Sequence, residues 1–224
     1  MNQSRKVFSL LGLIVITGFI FISSCKKEVK TYELHGIIYD PQFKKGVDGA
    51  LVSLKASKVQ SGVYNPNYTE IESIVSSSDG SYKFTVEYDN VSGYRLDVSK
   101  KDYFDQSYDI KTEELQQEGG YKANIDFLPI ANVKLIVKNT SPQAADDKIQ
   151  FWFSKLDDVK CKDCWNSDPI IGIGPSYSFN EEKMAIGEKR IEINWVVTKK
   201  GNQQTHVDYI DTKAFTTVNY NINY

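Results

Sequence analysis

The feature that most constrains the fold is an alternation of apolar and polar residues that recurs along the chain with a period of two. It is clearest after the turn Asp79-Gly80, where Tyr82, Phe84, Val86 and Tyr88 are separated by single polar residues. A period of two is typical of a strand with one buried and one wet face, whereas an amphipathic helix needs a period of 3.6. The pattern therefore predicts an all-β protein.

The same alternation recurs through residues 31–128 and is interrupted by turn signals such as Asp40-Pro41 and Gly46–Gly49. Short strands separated by turns at short intervals favour a β-sandwich over an α/β fold. The polar stretch Val59–Thr69 is interpreted as a long loop. The seven predicted strands are Tyr32–Tyr39, Ala50–Ala56, Glu70–Ser77, Tyr82–Tyr88, Tyr94–Val98, Gln106–Lys111 and Tyr121–Phe127.

Four motifs in this half, in this order, resemble the carboxypeptidase regulatory-like domain. They are Gly36-Ile37-Ile38-Tyr39-Asp40, the segment Gly46–Leu54, the hairpin Ser78–Phe84, and the segment Tyr94–Tyr103. The family usually has Gly where this chain has Asp102. The resemblance implies a seven-stranded, prealbumin-like sandwich with a carbohydrate-binding-like fold. It also implies a non-catalytic structural module or spacer, with no catalytic residues to transfer.

A second β-sandwich of unknown family is predicted for residues 129–224, after the junction Leu128-Pro129. Its clearest strand is Lys189–Thr198, which places Ile191, Ile193, Trp195 and Val197 on one side. Residues 155–175 are interpreted as a long irregular region, and residues 215–224 as a last strand whose edge could pair with another chain. The remaining strands are predicted at residues 133–137, 148–154, 177–179 and 205–210. In the strand 148–154 the alternation places Ile149, Phe151 and Phe153 on one face and Trp152 on the other.

The first 24 residues are predicted to be a lipoprotein signal peptide. Basic residues at positions 5 and 6 precede an apolar stretch from Val7 to Ile22, and Ile22-Ser23-Ser24-Cys25 resembles a bacterial lipobox. The resemblance, typical of Bacteroidetes-type lipoproteins, implies that Cys25 is lipidated, that residues 25–30 form a tether, and that the protein is held at the outer membrane. The periplasmic and cell-surface faces both stay open. The alternatives are an uncleaved signal anchor, or an ordinary cysteine beside a plain signal peptide.

The motif Cys161-Lys162-Asp163-Cys164 is the one in this sequence that is best suited to a chemical role. Such a spacing suits a short disulfide, half of a metal site or a redox pair. An exported location favours the disulfide over two free thiols. A zinc site would need four ligands, and the chain has only His35 and His206 to add.

Four aromatic residues are candidates for stacking on a ligand. They are Tyr64 and Tyr68 in the predicted long loop, and Trp152 and Trp165 near the two cysteines. Exposed aromatic faces on loops of a rigid β-scaffold suit a sugar or a peptide. The alternative is that these rings pack against the ends of the sandwiches.

Composition and charge narrow the function classes. The formal net charge is −2, so nucleic acid is not expected as a partner. The sequence shows no Ser-His-Asp set and no spaced acidic loop, so no cofactor, no metal and no enzymatic activity are expected. The sequence therefore predicts a cell-envelope lipoprotein that acts as a non-catalytic structural or binding module. The alternatives are a carbohydrate-binding accessory protein of a glycan-uptake system, or an adhesin or secretion-assembly subunit.

Overall fold

A computed structural model describes residues 31–60, 63–64, 66–87, 91–115, 119–156 and 161–224. The side chains at positions 59, 60, 63 and 64 lie outside this description. The predicted signal peptide, Cys25 and the tether also lie outside the described residues. Within the described ranges, none of the helices has the length and apolar character needed to cross a bilayer.

The first half of the chain forms two sheets that face each other. Strand β1 pairs with β2 and β6 and, in parallel, with β9 and β10, while β3 pairs with β4, β5 and β7, and β7 pairs with β8. A short helix, α1 (Thr112–Leu115), follows β8. The strands are β1 (Thr31–Asp40), β2 (Lys45–Gly46), β3 (Leu51–Gln60), β4 (Val63–Tyr64), β5 (Thr69–Val75), β6 (Ser81–Glu87), β7 (Val91–Ser99), β8 (Gln106–Ile110), β9 (Tyr121–Lys122) and β10 (Ile125–Asp126).

The turn between β5 and β6 shows how the local sequence determines the fold, but it joins strands of the two facing sheets and not the paired strands of the predicted hairpin. Asp79 accepts hydrogen bonds from the Ser77 hydroxyl (2.7 Å) and the Ser81 amide (2.9 Å), which closes the turn. Gly80 has a φ of 81°, and a Cβ there would lie 2.4 Å from the Ile38 carbonyl oxygen. Only glycine meets both demands. Beyond the turn Tyr82, Phe84 and Val86 are buried while their neighbours are not, as the alternation predicts.

Asp102 occupies the position at which the resembling family usually has glycine. Its φ is 67°, in the left-handed region that favours glycine. Aspartate is among the non-glycine residues that adopt this region most readily. The backbone geometry that a glycine would serve is therefore kept with a different residue.

The second half also forms two facing sheets. In one, β11 lies between β14 (antiparallel) and β17 (parallel), and in the other the order is β13-β12-β15-β16 with antiparallel pairs throughout. The strands are β11 (Ile130–Lys138), β12 (Lys148–Ser154), β13 (Ile170–Ile173), β14 (Ser178–Ile186), β15 (Arg190–Lys199), β16 (Asn202–Asp211) and β17 (Thr217–Asn223).

Each half buries its own hydrophobic cluster. The first cluster draws its members from positions 34–127 and the second from positions 133–222. The all-β architecture of two tandem sandwiches is thus confirmed, while the boundaries at 31–128 and 129–224 stay predictions. The halves meet directly, since the Ile130 amide donates to the Asp102 carbonyl (2.8 Å) and the Phe215 ring lies 5.4 Å from that of Tyr103.

Three local predictions need correction. The segment predicted as one long loop at Val59–Thr69 contains β4, which pairs back onto the end of β3. The irregular region 155–175 contains β13, and the short strand predicted at residues 177–179 is the start of the nine-residue β14. The apolar run Ile170–Ile173 is too short to show a period. The centre of β14, Asn180–Lys183, is polar because it borders solvent.

Candidate binding face on the second sandwich

The four aromatic candidates from the sequence do not meet at one site. The Tyr64 side chain lies outside the described residues. Tyr68 belongs to the first sandwich, where the Arg95 guanidinium lies 4.2 Å from its ring centre. Trp165 is only 6% exposed and donates from Nε1 to the Val133 carbonyl (2.9 Å). Trp165 therefore packs in the core, with no free face for a ligand.

Trp152 is the candidate that lies on an accessible sheet face. Its neighbours Phe151 and Phe153 are buried in the core, so strand alternation turns Trp152 to the opposite side of β12. The sequence pattern predicted this orientation. Trp152 is half-buried among the side chains around it.

The surface around Trp152 is called the outer face here, meaning the solvent side of the β13-β12-β15-β16 sheet. Several large apolar residues are exposed on it, including Ile173 (64%), Val207 (54%) and Tyr209 (49%). The strand register places Trp152 opposite Asn194, and Asn194 opposite Val207. The other members of the outer face are Ile171, Lys148, Gln150, Ser154, Arg190, Glu192, Val196, Thr198, Gln203, Thr205 and Asp211.

A fixed polar network lies between Trp152 and Tyr209 on this face. The Asn194 amide nitrogen donates to Ser154 Oγ (2.8 Å) and to Glu192 Oε1 (3.2 Å). Ser154 Oγ donates to Glu192 Oε1 (2.5 Å), and Lys155 Nζ donates to Glu192 Oε2 (2.6 Å). These hydrogen bonds, with that of Lys155 first, lower the pKa of Glu192 to about 2. The Glu192 carboxylate is therefore ionised at neutral pH, and it accepts hydrogen bonds from Ser154, Lys155 and Asn194.

The spacing of the two aromatic residues suits an extended ligand. Trp152 on β12 and Tyr209 on β16 are separated by β15, so two strand spacings, about 10 Å, lie between them across the sheet. They are also offset by one row of the register, because Glu192 rather than Asn194 is the partner of Tyr209. An elongated molecule could contact both rings and hydrogen-bond to the network between them.

The corresponding face of the first sandwich combines exposed Leu51 (43%) and Val75 (62%) with ion pairs. On the β5-β3-β7-β8 sheet, Lys55 pairs with Asp97 (2.6 Å) and Arg95 pairs with Asp109 (2.6 Å). Ser107 also donates to Asp97 (2.7 Å). Ion pairs of this kind are typical of a solvated surface and contribute little to stability.

The Cys161–Cys164 disulfide is present, with Cα atoms 5.4 Å apart. The segment that it closes lies along the free side of β14. The Met184 amide donates to the Asp163 carbonyl (3.0 Å), and the Trp165 amide donates to the Met184 carbonyl (3.1 Å). The disulfide thus holds a segment that covers one edge of the second sandwich.

Two pockets lie within the described residues. A groove of about 640 Å³ on the first sandwich is lined by Glu33, His35 and Lys83, among others, and Glu33 and Lys83 form an ion pair within it. A pocket of about 30 Å³ beside Trp165 has room for roughly one water molecule. Within the described part of the chain, no three His, Cys, Asp or Glu side chains lie close enough together to hold a metal ion.

Asn194, Glu192 and Tyr209 are not among the candidates that the sequence predicts. A usable signal was present, because the alternation that buries Ile191 and Ile193 turns Glu192 and Asn194 to the other face. The sequence does not show that β15 lies between β12 and β16, and this placement is what brings the three residues near Trp152. Sequence periodicity alone does not fix which strands are neighbours.

Comparisons with known proteins place this chain in no family. No protein-family model matches it, and no curated protein matches its sequence. The resemblance to the carboxypeptidase regulatory-like domain therefore stays a prediction.

Three solved structures with some likeness to the chain are a Bacillus anthracis protein and two pilins. The Bacillus anthracis TIE protein is 9% identical with a TM-score of 0.36, and the match covers 86% of this chain and 34% of that one. This chain thus spans about a third of the TIE protein. A point mutant of the shaft pilin SpaA from Lactobacillus rhamnosus GG is 8% identical with a TM-score of 0.37, covering 87% and 98%. A minor pilin of Streptococcus agalactiae is 10% identical with a TM-score of 0.34, covering 86% and 94%. Likenesses of this size show no shared function.

Proposed function

We propose that this protein is a non-catalytic binding module of the bacterial cell envelope. A lipid on Cys25 holds it at the outer membrane, and the outer face of the second sandwich takes the ligand. The lipobox-like Ile22-Ser23-Ser24-Cys25 after an apolar stretch supports the anchor. Two or three acyl chains on one cysteine would hold the protein essentially irreversibly.

One observation carries the binding role, and it is the chemistry of the outer face. Exposed Val207 and Tyr209, together with Trp152, provide apolar surface next to hydrogen-bonding groups that are already ordered. Contiguous exposed apolar surface with a few fixed polar groups marks an interaction site more often than a solvated one. The corresponding face of the first sandwich also exposes Leu51 and Val75 beside its ion pairs, so the outer face is favoured by its two aromatic residues, Trp152 and Tyr209, on either side of β15.

The ligand class that fits this face best is a glycan. An aromatic ring can stack on the apolar face of a sugar, while amide, hydroxyl and carboxylate groups bond to its hydroxyls. Ser154 and Glu192 provide those groups between Trp152 and Tyr209, and Asn194, itself only 9% exposed, holds them in place. This proposal gives the protein the role of a carbohydrate-binding accessory component.

The test is a binding array with residues 26–224, which retain every described strand, against glycans and peptides. We expect sugar hits that are lost in Trp152→Ala. The matched control is Tyr68→Ala, which removes an aromatic ring from the first sandwich and should leave the hits intact. Hits that survive Trp152→Ala would place the site elsewhere. Hits to peptides alone would replace the glycan with a protein ligand, and a blank array would contradict a ligand-binding role.

The anchor has an independent test. In a Gram-negative host, a labelled fatty acid should enter the full chain and should not enter Cys25→Ser. Equal labelling of the two chains, or no labelling of either, would contradict lipidation at Cys25.

A further inference from the structure

One edge of the second sandwich is left open by the fold. Strand β17 pairs with β11 on one side, and in the described part of the chain no strand pairs with it on the other. The opposite edge of the same sheet is β14, and the segment closed by the Cys161–Cys164 disulfide covers part of it through the bridge between Cys164 and Met184.

The open edge lacks the features that usually protect an edge strand. Residues 217–224 read Thr-Val-Asn-Tyr-Asn-Ile-Asn-Tyr, with no charged side chain, no proline and no glycine. Charges on an edge, proline and bulges are the usual ways in which proteins prevent edge-to-edge pairing. By contrast, the edge strand β5 carries Glu70 and Glu72, and β14 carries Glu181, Glu182 and Lys183. An uncharged segment of high β-propensity is typical of strands that pair with further strands.

The register of β17 shows which of its backbone groups are available. The Asn132 amide donates to the Thr216 carbonyl, and the Tyr224 amide donates to the Lys138 carbonyl. The backbone groups of even-numbered residues of β17 therefore face β11. Those of Thr217, Asn219, Asn221 and Asn223 face away from it. Their side chains are exposed, whereas those of Val218, Tyr220 and Ile222 turn towards the core.

We propose that the free edge of β17 pairs with β17 of a second copy of this chain, antiparallel, about a two-fold axis through Tyr220. In this register Asn219 lies opposite the second copy's residue 221, and Thr217 lies opposite its residue 223. All four outward-facing residues then exchange backbone hydrogen bonds with their counterparts, eight bonds in total by symmetry. The two three-stranded sheets become one continuous six-stranded sheet.

The strand's own sequence favours a second copy as the occupant. Two copies of one strand bring the same net charge together, so a strand with a net charge would be repelled by its copy, and this strand carries no charge. The Asn219–Asn221 pairs face each other with amides that can both donate and accept. Other registers leave at least one outward-facing residue unpaired.

The size of the contact predicts its strength. A single strand pair buries less than the roughly 1,000 Å² expected of a stable interface, so the dimer should be weak in free solution. Confinement to a membrane through the proposed anchor would raise the effective concentration and favour the pair. The pairing itself is independent of the anchor and of the outer face.

Sedimentation velocity of residues 26–224, from micromolar to near-millimolar concentration, tests the pairing. We expect a reversible dimer whose dissociation constant rises about tenfold or more in the double variant Asn219→Lys/Asn221→Lys, which places lysines opposite each other. The matched variant Asn219→Lys/Asn221→Glu places opposite charges in the same two pairs and should restore the dimer. All three chains should retain the same far-ultraviolet circular dichroism, since both positions are exposed.

A chain that stays monomeric throughout the range overturns the proposal. So does a dimer that both double variants leave unchanged, since it would use another surface, or one that both weaken equally, since the register would be wrong. Trp152→Ala should leave the dimer unchanged. Failure of the pairing and failure of ligand binding are therefore distinguishable.

Discussion

The two sandwiches share an architecture and differ in what they show to solvent. On the β5-β3-β7-β8 sheet, charges of opposite sign neutralise each other through Lys55–Asp97 and Arg95–Asp109. The β13-β12-β15-β16 sheet has ion pairs too, at Lys155–Glu192 and Arg190–Asp211, but it also carries Trp152 and a larger set of exposed apolar residues, Ile171, Ile173, Val207 and Tyr209. Both halves must bury a hydrophobic core, so core burial does not explain the difference between their solvent faces. Residues on the solvent faces do not have to fill a core, so they can differ between the two halves.

The edges of the second sandwich show the same kind of divergence. One edge, β14, is partly covered by the disulfide-closed segment, while the other, β17, is uncharged and has no second partner among the described strands. Covering an edge uses about five residues and a disulfide. Among the described residues no such segment pairs with β17, so the two edges of one sheet differ in how they are covered.

The largest expected effect is a difference in the free energy of unfolding between substitutions on the two faces of β12. Phe151→Ala should lower the free energy of unfolding by about 3–5 kcal/mol, because Phe151 is fully buried and its removal leaves a cavity. Trp152→Ala, one residue away on the outer face, should cost about 1 kcal/mol or less. Urea denaturation of both variants checks the contrast. Equal losses would mean that Trp152 is part of the core and not of a binding face.

Removal of the disulfide should have the next largest effect. Cys161→Ser/Cys164→Ser opens a short loop, for which chain entropy predicts a loss of about 2 kcal/mol. Amide hydrogen exchange should locate the change, with faster exchange at Met184 and Trp165 and unchanged exchange in β17. Equally fast exchange along both edges would contradict a local role in covering β14.

The pH dependence of stability tests the role of Glu192 in the polar network. The pKa of Glu192 is lowered from 4.5 to about 2, so its ionised form stabilises the folded state above pH 4.5, and this contribution is lost as pH falls towards 2. Glu192→Gln should therefore reduce the urea midpoint at pH 7, and the difference from the unmodified chain should shrink between pH 4.5 and 2. Glu72→Gln, an equal change of charge on exposed β5, is the control. A difference that stays constant over this range would contradict the network.

The smallest effect is expected on the first sandwich. A double-mutant cycle of Lys55→Ala and Asp97→Ala should give a coupling of less than about 1 kcal/mol, because both side chains are about 30% exposed. The coupling should fall further as salt is added. A coupling well above this, or one insensitive to salt, would mean that this face is not simply a solvated surface.

Sequence by itself determined the fold class and the inward or outward direction of many side chains. Alternation predicted the buried set Tyr82, Phe84 and Val86, and it turned Trp152 away from Phe151 and Phe153. The Asp79-Gly80 turn was readable because a left-handed backbone needs glycine. These are local properties, since a strand's period and a turn's backbone angles depend on adjacent residues.

Tertiary structure alone decided which of these strands became neighbours. Trp165, a ligand candidate in the sequence, lies in the core because the segment that contains it packs against β11 and β14. Tyr209, Asn194 and Trp152 share a face only because β16, β15 and β12 are adjacent in that order. The edge at β17 is open because β11 is its only partner among the described strands. Strand order and register depend on contacts between residues far apart in the chain, and a period of two carries no information about them.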